Sequence, residues 1–418
     1  MSPNVEIPPR STKTVGTVEG DLIVGESASI RGEGTPPKVK VSGTVRCEGD
    51  CVFDASLSAV SIVGAGYIVV KGDLDVEERV KLGNGGGFGL FHNRAELTVE
   101  GNVKAGTVDV ENRLTVGKDL QAETIDVGGS LDVKGNTKTE TIEVGGKFSA
   151  VGEVEAETIE VGGAVVIESK VKLEGIDVGG SARVGGGRIR EVDVGGSFES
   201  SDSLEFGSID VGGSVRLTGK NVGGAIDVGG VCRVQGDLQF EEIDVGGLVE
   251  ISGSGKGISL EVGGKVWIGG SLQLSGEMEV GGRAEVTGDL SVLDLEVGGS
   301  VKAKSITARN EVEVGGSIAT ATGVSAASIE IGRRAEVTGP IRADKVEIGD
   351  KARVEDVYGK SIIIEEKAQA RNVYGESVTI EEGCNITGEV QYTVSLEAER
   401  GVYFAKQPVK VDRLPEKP

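Results

Sequence analysis

Ile125-Asp126-Val127-Gly128-Gly129 returns almost verbatim over more than half of a 418-residue chain, and its spacing decides the fold. Valine or isoleucine stands in the place of Val127 at positions 144, 161, 178, 194, 211, 228, 245, 262, 280, 297, 314, 331 and 348. The steps are 17 residues, with one of 16 and one of 18. A fixed period of this size marks a solenoid, and short strand-like segments with glycine corners make it a single-stranded β-helix.

One turn divides into three. Leu114/Val116, Leu120/Ala122 and Ile125/Val127 are apolar i,i+2 pairs. Alternation along a strand puts both members of a pair on one face. Three strands and three corners predict an all-β, roughly triangular solenoid. The next turn repeats this with Leu131/Val133, a weaker third side, and Ile142/Val144. Residues 15–390 at about 17 per turn give about 22 turns, on the order of 100 Å at roughly 4.8 Å per stacked strand. The Gly-Gly pair recurs in twelve consecutive turns, from Gly128-Gly129 to Gly315-Gly316. Elsewhere it becomes Glu111-Asn112, Gly332-Arg333, Gly349-Asp350, Glu365-Glu366 and Glu381-Glu382. Glycine tolerates positive φ, so the pair reads as a sharp corner.

Residues 1–14 are polar, carry Pro3, Pro8 and Pro9, and read as a disordered tail. Residues 15–96 read as irregular turns with a loop insertion at 83–96, and 97–331 as the regular repeats. Changed repeats follow at 332–390, then a cap and polar tail at 391–418. The insertion is glycine-rich and holds His92, the only histidine. It lacks the GxxxxGK[ST] spacing of a phosphate-cradling loop and reads as a surface or contact loop.

The net charge is −23, from 67 acidic and 44 basic residues, which argues against nucleic acid as a partner. Basic proteins, cations or a second copy of the chain suit it better. Four cysteines (Cys47, Cys51, Cys232, Cys384) are too few for a disulfide framework and read as packed thiols. Cys47 and Cys51 alone leave open a metal or a single disulfide. No apolar run reaches a membrane span, and no signal-peptide pattern opens the chain. A soluble, cytoplasmic protein without cofactors is expected.

The residue between Ile and Val of the phrase is acidic in fifteen consecutive turns: Asp109, Asp126, Glu143, Glu160, Asp177, Asp193, Asp210, Asp227, Asp244, Glu261, Glu279, Glu296, Glu313, Glu330 and Glu347. Alternation places them outward as a carboxylate ridge. Unit charges about 5 Å apart in water repel by roughly 0.8 kcal/mol before screening. Three accounts compete: a charged face that keeps copies from fusing side by side, a surface for cations or a basic partner, and plain solvation. The equivalent position one strand later is mixed (Asp132, Arg183, Arg216, Arg233, Glu250, Trp267, Lys302). Catalysis by carboxylates needs two different environments, which an even ridge does not offer. His92 as an acyltransferase base would call for strict six-residue spacing, which is missing. Threonines at 124, 141 and 158 stop too soon for an ice-binding column. No catalytic, cofactor or metal residues are assigned.

Gly16-Thr17-Val18-Glu19-Gly20-Asp21-Leu22, the stretch from Ala335 to Ile348, and that from Val357 to Val390 with its Val-Tyr-Gly phrases resemble the repeats of bactofilins. The resemblance implies a right-handed β-helix that assembles end to end, without nucleotide, into cytoskeletal filaments. This chain is about three times the usual core length, and the family's hydrophobic membrane-binding motif is not seen in residues 1–14. A non-enzymatic structural protein is therefore expected, with a monomeric acidic spacer or binding module as the alternative and an enzyme last. Uncapped β-helix ends expose backbone groups and apolar lumen. The candidate assembly ends are Val15, Val18, Leu22 and Val24 on one side, and Ile386, Val390, Tyr392, Tyr403 and Phe404 on the other.

Overall fold

The computed structural model describes residues 4–83 and 95–415. Among them there are strands and turns but no helix, and parallel strands stacked about 17 residues apart make β-solenoid coils, about 23 in all. The coils group into two compact units, Met1–Gly212 and Gly213–Pro418.

In the first unit a regular coil has three sides. Thr124–Val127 carries the phrase, Ser130–Val133 follows it, and the short strand Thr137–Lys138 completes the turn. They are called here the phrase side, the following side and the short side. Each strand pairs in parallel with its equivalent one coil on, Thr124–Val127 with Thr141–Val144 and Ser130–Val133 with Lys147–Ala150. Leu114, Val116, Leu120, Ala122, Ile125 and Val127 are all buried, so the three apolar pairs fill the lumen as alternation requires. Each fully buried aliphatic side chain contributes on the order of 1.5–3 kcal/mol before chain entropy is counted. The weaker third side is polar yet inward: Thr137 and Thr139 are 1% and 8% exposed. From Val154 onward the short and phrase sides merge into single strands, Val154–Val161, Val171–Val178, Gly187–Val194 and Leu204–Val211.

The second unit repeats the plan. Its phrase side runs through Glu242–Val245, Ser259–Val262 and Glu277–Val280, and it closes with the long strands Asp356–Ile364, Asn372–Ile380 and Val390–Ala398.

Three expectations change. Residues 5–7 and 12–15 do not form a tail: Val5–Ile7 pairs with Leu22–Val24, and Thr12–Val15 with Ser29–Gly32. Val5 and Ile7 are an i,i+2 pair like those downstream, and Pro8-Pro9 stands at the corner, where proline's missing N–H costs no ladder bond. At the other end the pairing runs past residue 390, since Tyr403–Phe404 stacks on Asn385–Ile386 and Val409–Lys410 on Gln391–Tyr392. Residues 84–94 of the loop insertion, His92 included, lie outside the described residues, while Ala95 is buried and Glu96 already opens the strand Glu96–Val99.

The third change concerns the corners. None of the Gly-Gly pairs has a positive φ. Their glycines are required by close stacking: a Cβ on Gly162 would lie 2.5 Å from the Gly145 carbonyl oxygen, and one on Gly179 2.5 Å from that of Gly162. The non-glycine corners that do use left-handed backbone belong to the other repeats, at Arg10 and Ser27 in the first unit and at Arg334, Lys351 and Lys367 in the second, with φ of 54–60°. There an i→i+3 bond closes the turn, as from Ala352 N–H to the Gly349 carbonyl at 3.1 Å. Gly-Gly and the charged corner are thus two conformations with the same spacing.

Candidate functional site

The phrase side sets the carboxylates in register. In the first unit Asp109, Asp126, Glu143, Glu160, Asp177, Asp193 and Asp210 stack coil on coil. In the second, Asp227, Asp244, Glu261, Glu279, Glu296, Glu313, Glu330 and Glu347 do the same. All are exposed except Asp109 and Glu347, which are half-buried. Those two also have a cation: Lys81 reaches Asp109 at 2.7 Å and Lys345 reaches Glu347 at 3.4 Å. Among the described residues, none of Asp126, Glu143, Glu160, Asp177, Asp193 and Asp210 has a lysine or arginine nitrogen at ion-pair distance.

The other two sides behave differently. On the following side Arg183 pairs with Glu199 at 2.8 Å, Arg233 with Glu250 at 2.7 Å, and Lys302 with Glu285 at 2.8 Å, each across adjacent coils. On the short side Glu155 sits between Lys138 and Lys172, at 3.1 and 2.7 Å. Coil stacking therefore joins opposite charges on two sides and like charges on the third. The electrostatics follow. The hydrogen bonds from Lys172 and Lys138 pull Glu155 below the usual carboxylate range. On the ridge, Asp244 and Glu279 push Glu261 up. Partial desolvation, then Asp177 and Asp210, raises Asp193, and partial desolvation with Glu330 and Glu296 raises Glu313.

Because the corner beside the ridge has no side chains, a groove of about 500 Å³ runs along it in the first unit. Asp126, Glu143, Glu160 and Asp177 line it together with Gly128, Gly145, Gly162 and Gly179. Four carboxylates on one wall give the groove a negative potential. Among the described residues, no group of three or more His, Cys, Asp or Glu has the arrangement of a metal site.

The two ends are unlike each other. Val15, Val18, Leu22 and Val24 are all buried; the unexpected first coil covers Leu22 and Val24, whereas Val15 and Val18 lie in outermost strands with their side chains in the lumen. The outermost strands of that end, Val5–Ile7, Thr12–Val15 and Thr17–Val18, pair on one edge only among the described residues. There Lys13 stands in register with buried Ile30, so an exposed cation occupies a lumen position of the last ladder. At the C-terminal end Ile386 and Val390 are buried and Tyr392 and Phe404 are half-buried. Tyr403 is 62% exposed. Val394 and Val409 join it at 60% and 53%, two residues that sequence reasoning missed because strand alternation was not followed past Val390.

Compared with known proteins, the chain matches no protein-family model, no curated protein and no solved structure. Among the described residues, no helix is long and apolar enough to cross a membrane.

Proposed function

We propose that this chain is a non-enzymatic, bactofilin-like structural protein of the cytoplasm, whose solenoid self-assembles end to end without nucleotide. The observation that carries the reading is the C-terminal edge. Among the described residues Tyr403–Phe404 and Val409–Lys410 each pair on one edge only, and Val394, Tyr403 and Val409 stand exposed. Natural edge strands are blunted with charge or proline; this one carries Pro408 and Lys410 but leaves Val394, Tyr403 and Val409 exposed beside them. Docking on another copy satisfies its free N–H and C=O groups and buries those side chains together. Among the described residues the opposite end also offers strands paired on one edge only, Val5–Ile7, Thr12–Val15 and Thr17–Val18, with Lys13 exposed among them as the surface a second copy would meet.

The test is the double variant Tyr403→Arg/Val409→Arg, viewed by negative-stain electron microscopy and sized by sedimentation. Wild type should form filaments and the variant should stay short or monomeric with an unchanged melting temperature. Filaments of wild-type length in the variant, or a monomeric wild type at any salt, overturn the reading. Val18→Arg is a poor test, because Val18 is 3% exposed and the charge would disturb the fold itself.

A second reading is favoured by Asp126, Glu143, Glu160, Asp177, Asp193 and Asp210, which have no cation at ion-pair distance among the described residues: a monomeric spacer whose acidic face docks a basic partner or cations. It predicts binding of a lysine-rich peptide at low salt that fades as salt rises, with no filaments.

A further inference from the structure

Cys47 and Cys51 meet across one corner of the lumen. Cys47 ends the phrase-side strand Thr44–Cys47, and Cys51 opens the following-side strand Cys51–Asp54. One coil earlier the same places hold Val24 and Ala28. Inner-corner positions aim two side chains at each other, and here both are thiols, 5% and 1% exposed. Their sulfur atoms lie 3.0 Å apart, the Cys51 thiol donating to Cys47 Sγ. The next coil makes room for the pair. Gly64 stands in register with Cys47, and a Cβ there would come within 2.9 Å of the Cys47 Cβ.

We propose that Cys47 and Cys51 are a two-electron redox site, which a small peroxide oxidises to an intrachain disulfide that staples this corner. The Cys47 thiolate attacks a peroxide oxygen, the O–O bond breaks, and with hydrogen peroxide the leaving hydroxide takes up a proton as water. The resulting sulfenic acid is attacked by the Cys51 sulfur; the S–O bond breaks and a second water leaves. Two thiols and one hydrogen peroxide thus give one disulfide and two waters. The neighbouring Cys51 and burial hold the Cys47 thiol well above its ordinary range, so the thiolate is scarce near neutral pH and oxidation is slow but selective. Selectivity follows from geometry. Cys232 is buried and pushed up to about 12 by that burial, and the Cys384 thiol donates to the Glu365 carbonyl at 2.9 Å. Among the described residues, neither has a second cysteine beside it.

The full chain, treated with hydrogen peroxide under native conditions and then alkylated in denaturant, tests the site. The tryptic peptide from Cys47 to Lys71 should be unalkylated and lighter by two hydrogens, and dithiothreitol should restore it. Cys232 and Cys384 should still be alkylated. In the oxidised protein, amide exchange over Thr44–Asp54 should slow several-fold, and Cys51→Ser should abolish both effects. A Cys47–Lys71 peptide that stays doubly alkylated while Cys232 or Cys384 reacts, or one that passes to sulfinic acid without the bridge, overturns the proposal. Neither readout depends on whether the chain assembles.

Discussion

Two glycines of one coil separate the reasons for which the chain uses glycine. A Cβ on Gly179 would lie 2.5 Å from the Gly162 carbonyl oxygen, whereas one on Gly175 would meet only Thr158 Cγ2, at 3.8 Å. Neither has positive φ. Gly179→Ala should therefore cost about 1–3 kcal/mol by overpacking. Gly175→Ala should be neutral or stabilising by about 0.4–1 kcal/mol, through loss of unfolded-state freedom. Urea unfolding midpoints of the two variants check this. The carboxylates supply a second contrast. Glu261 is raised by Asp244 and Glu279, so the folded form binds a proton before the unfolded form does. Its ionised state weakens the fold, and that penalty is lifted as pH falls through the raised folded value. Glu155, lowered by Lys172 and Lys138, runs the other way: its stabilisation is present above the unfolded value and is lost as pH falls through the folded one. Thermal melts at neutral pH and low salt should show a small rise for Glu261→Gln and a small fall for Glu155→Gln. Both differences should shrink in high salt.

At the scale of a strand, the short side Thr137–Lys138 is only two residues long, and with Thr139 it turns hydroxyls toward the lumen. Thr139 Oγ1 donates to the Glu123 and Thr141 carbonyls at 2.9 and 3.1 Å. Thr137 Oγ1 is buried without a hydrogen-bond partner. A buried unsatisfied hydroxyl costs about 1–3 kcal/mol. Thr137→Val should recover on the order of 1 kcal/mol of that, whereas Thr139→Val should lose a similar amount; calorimetry of both variants would register opposite shifts. The strands themselves were legible because Leu114/Val116 and Ile125/Val127 obey a period of two inside a period of 17. Val5 and Ile7 obey it as well, and were hidden only by the prolines that follow them. What the pattern could not carry was conformation at the corners. Val127 to Leu131 and Ile348 to Ala352 span the same number of residues, yet only the second passes through a left-handed residue, Lys351. Spacing records how many residues make a turn and is silent on how they make it. The ridge was legible as a column, but its meaning needed the ion pairs of the other two sides.

For the whole molecule, the excess of 67 acidic over 44 basic residues is not spread evenly around the coils. The following and short sides neutralise themselves with pairs such as Arg233–Glu250 and Lys172–Glu155, so much of the net charge of −23 is expressed on the phrase side of each unit. A stacked ladder of like charges opposes folding by a small amount at every step, whereas a single-signed face opposes side-by-side contact with another copy by many charges at once. That difference in scale favours the ridge as a device against lateral association, compatible with assembly through the ends. The groove in the first unit gives the test its residues. Replacing Asp126, Glu143, Glu160 and Asp177 by Asn or Gln removes the four carboxylates that line it without touching the lumen. Such a variant should melt no lower than wild type but associate laterally, giving bundles by electron microscopy and raised light scattering at low salt. Wild type should bundle only when high salt or magnesium screens the face. A variant that stays as dispersed as wild type at every salt concentration would assign the ridge to solvation alone.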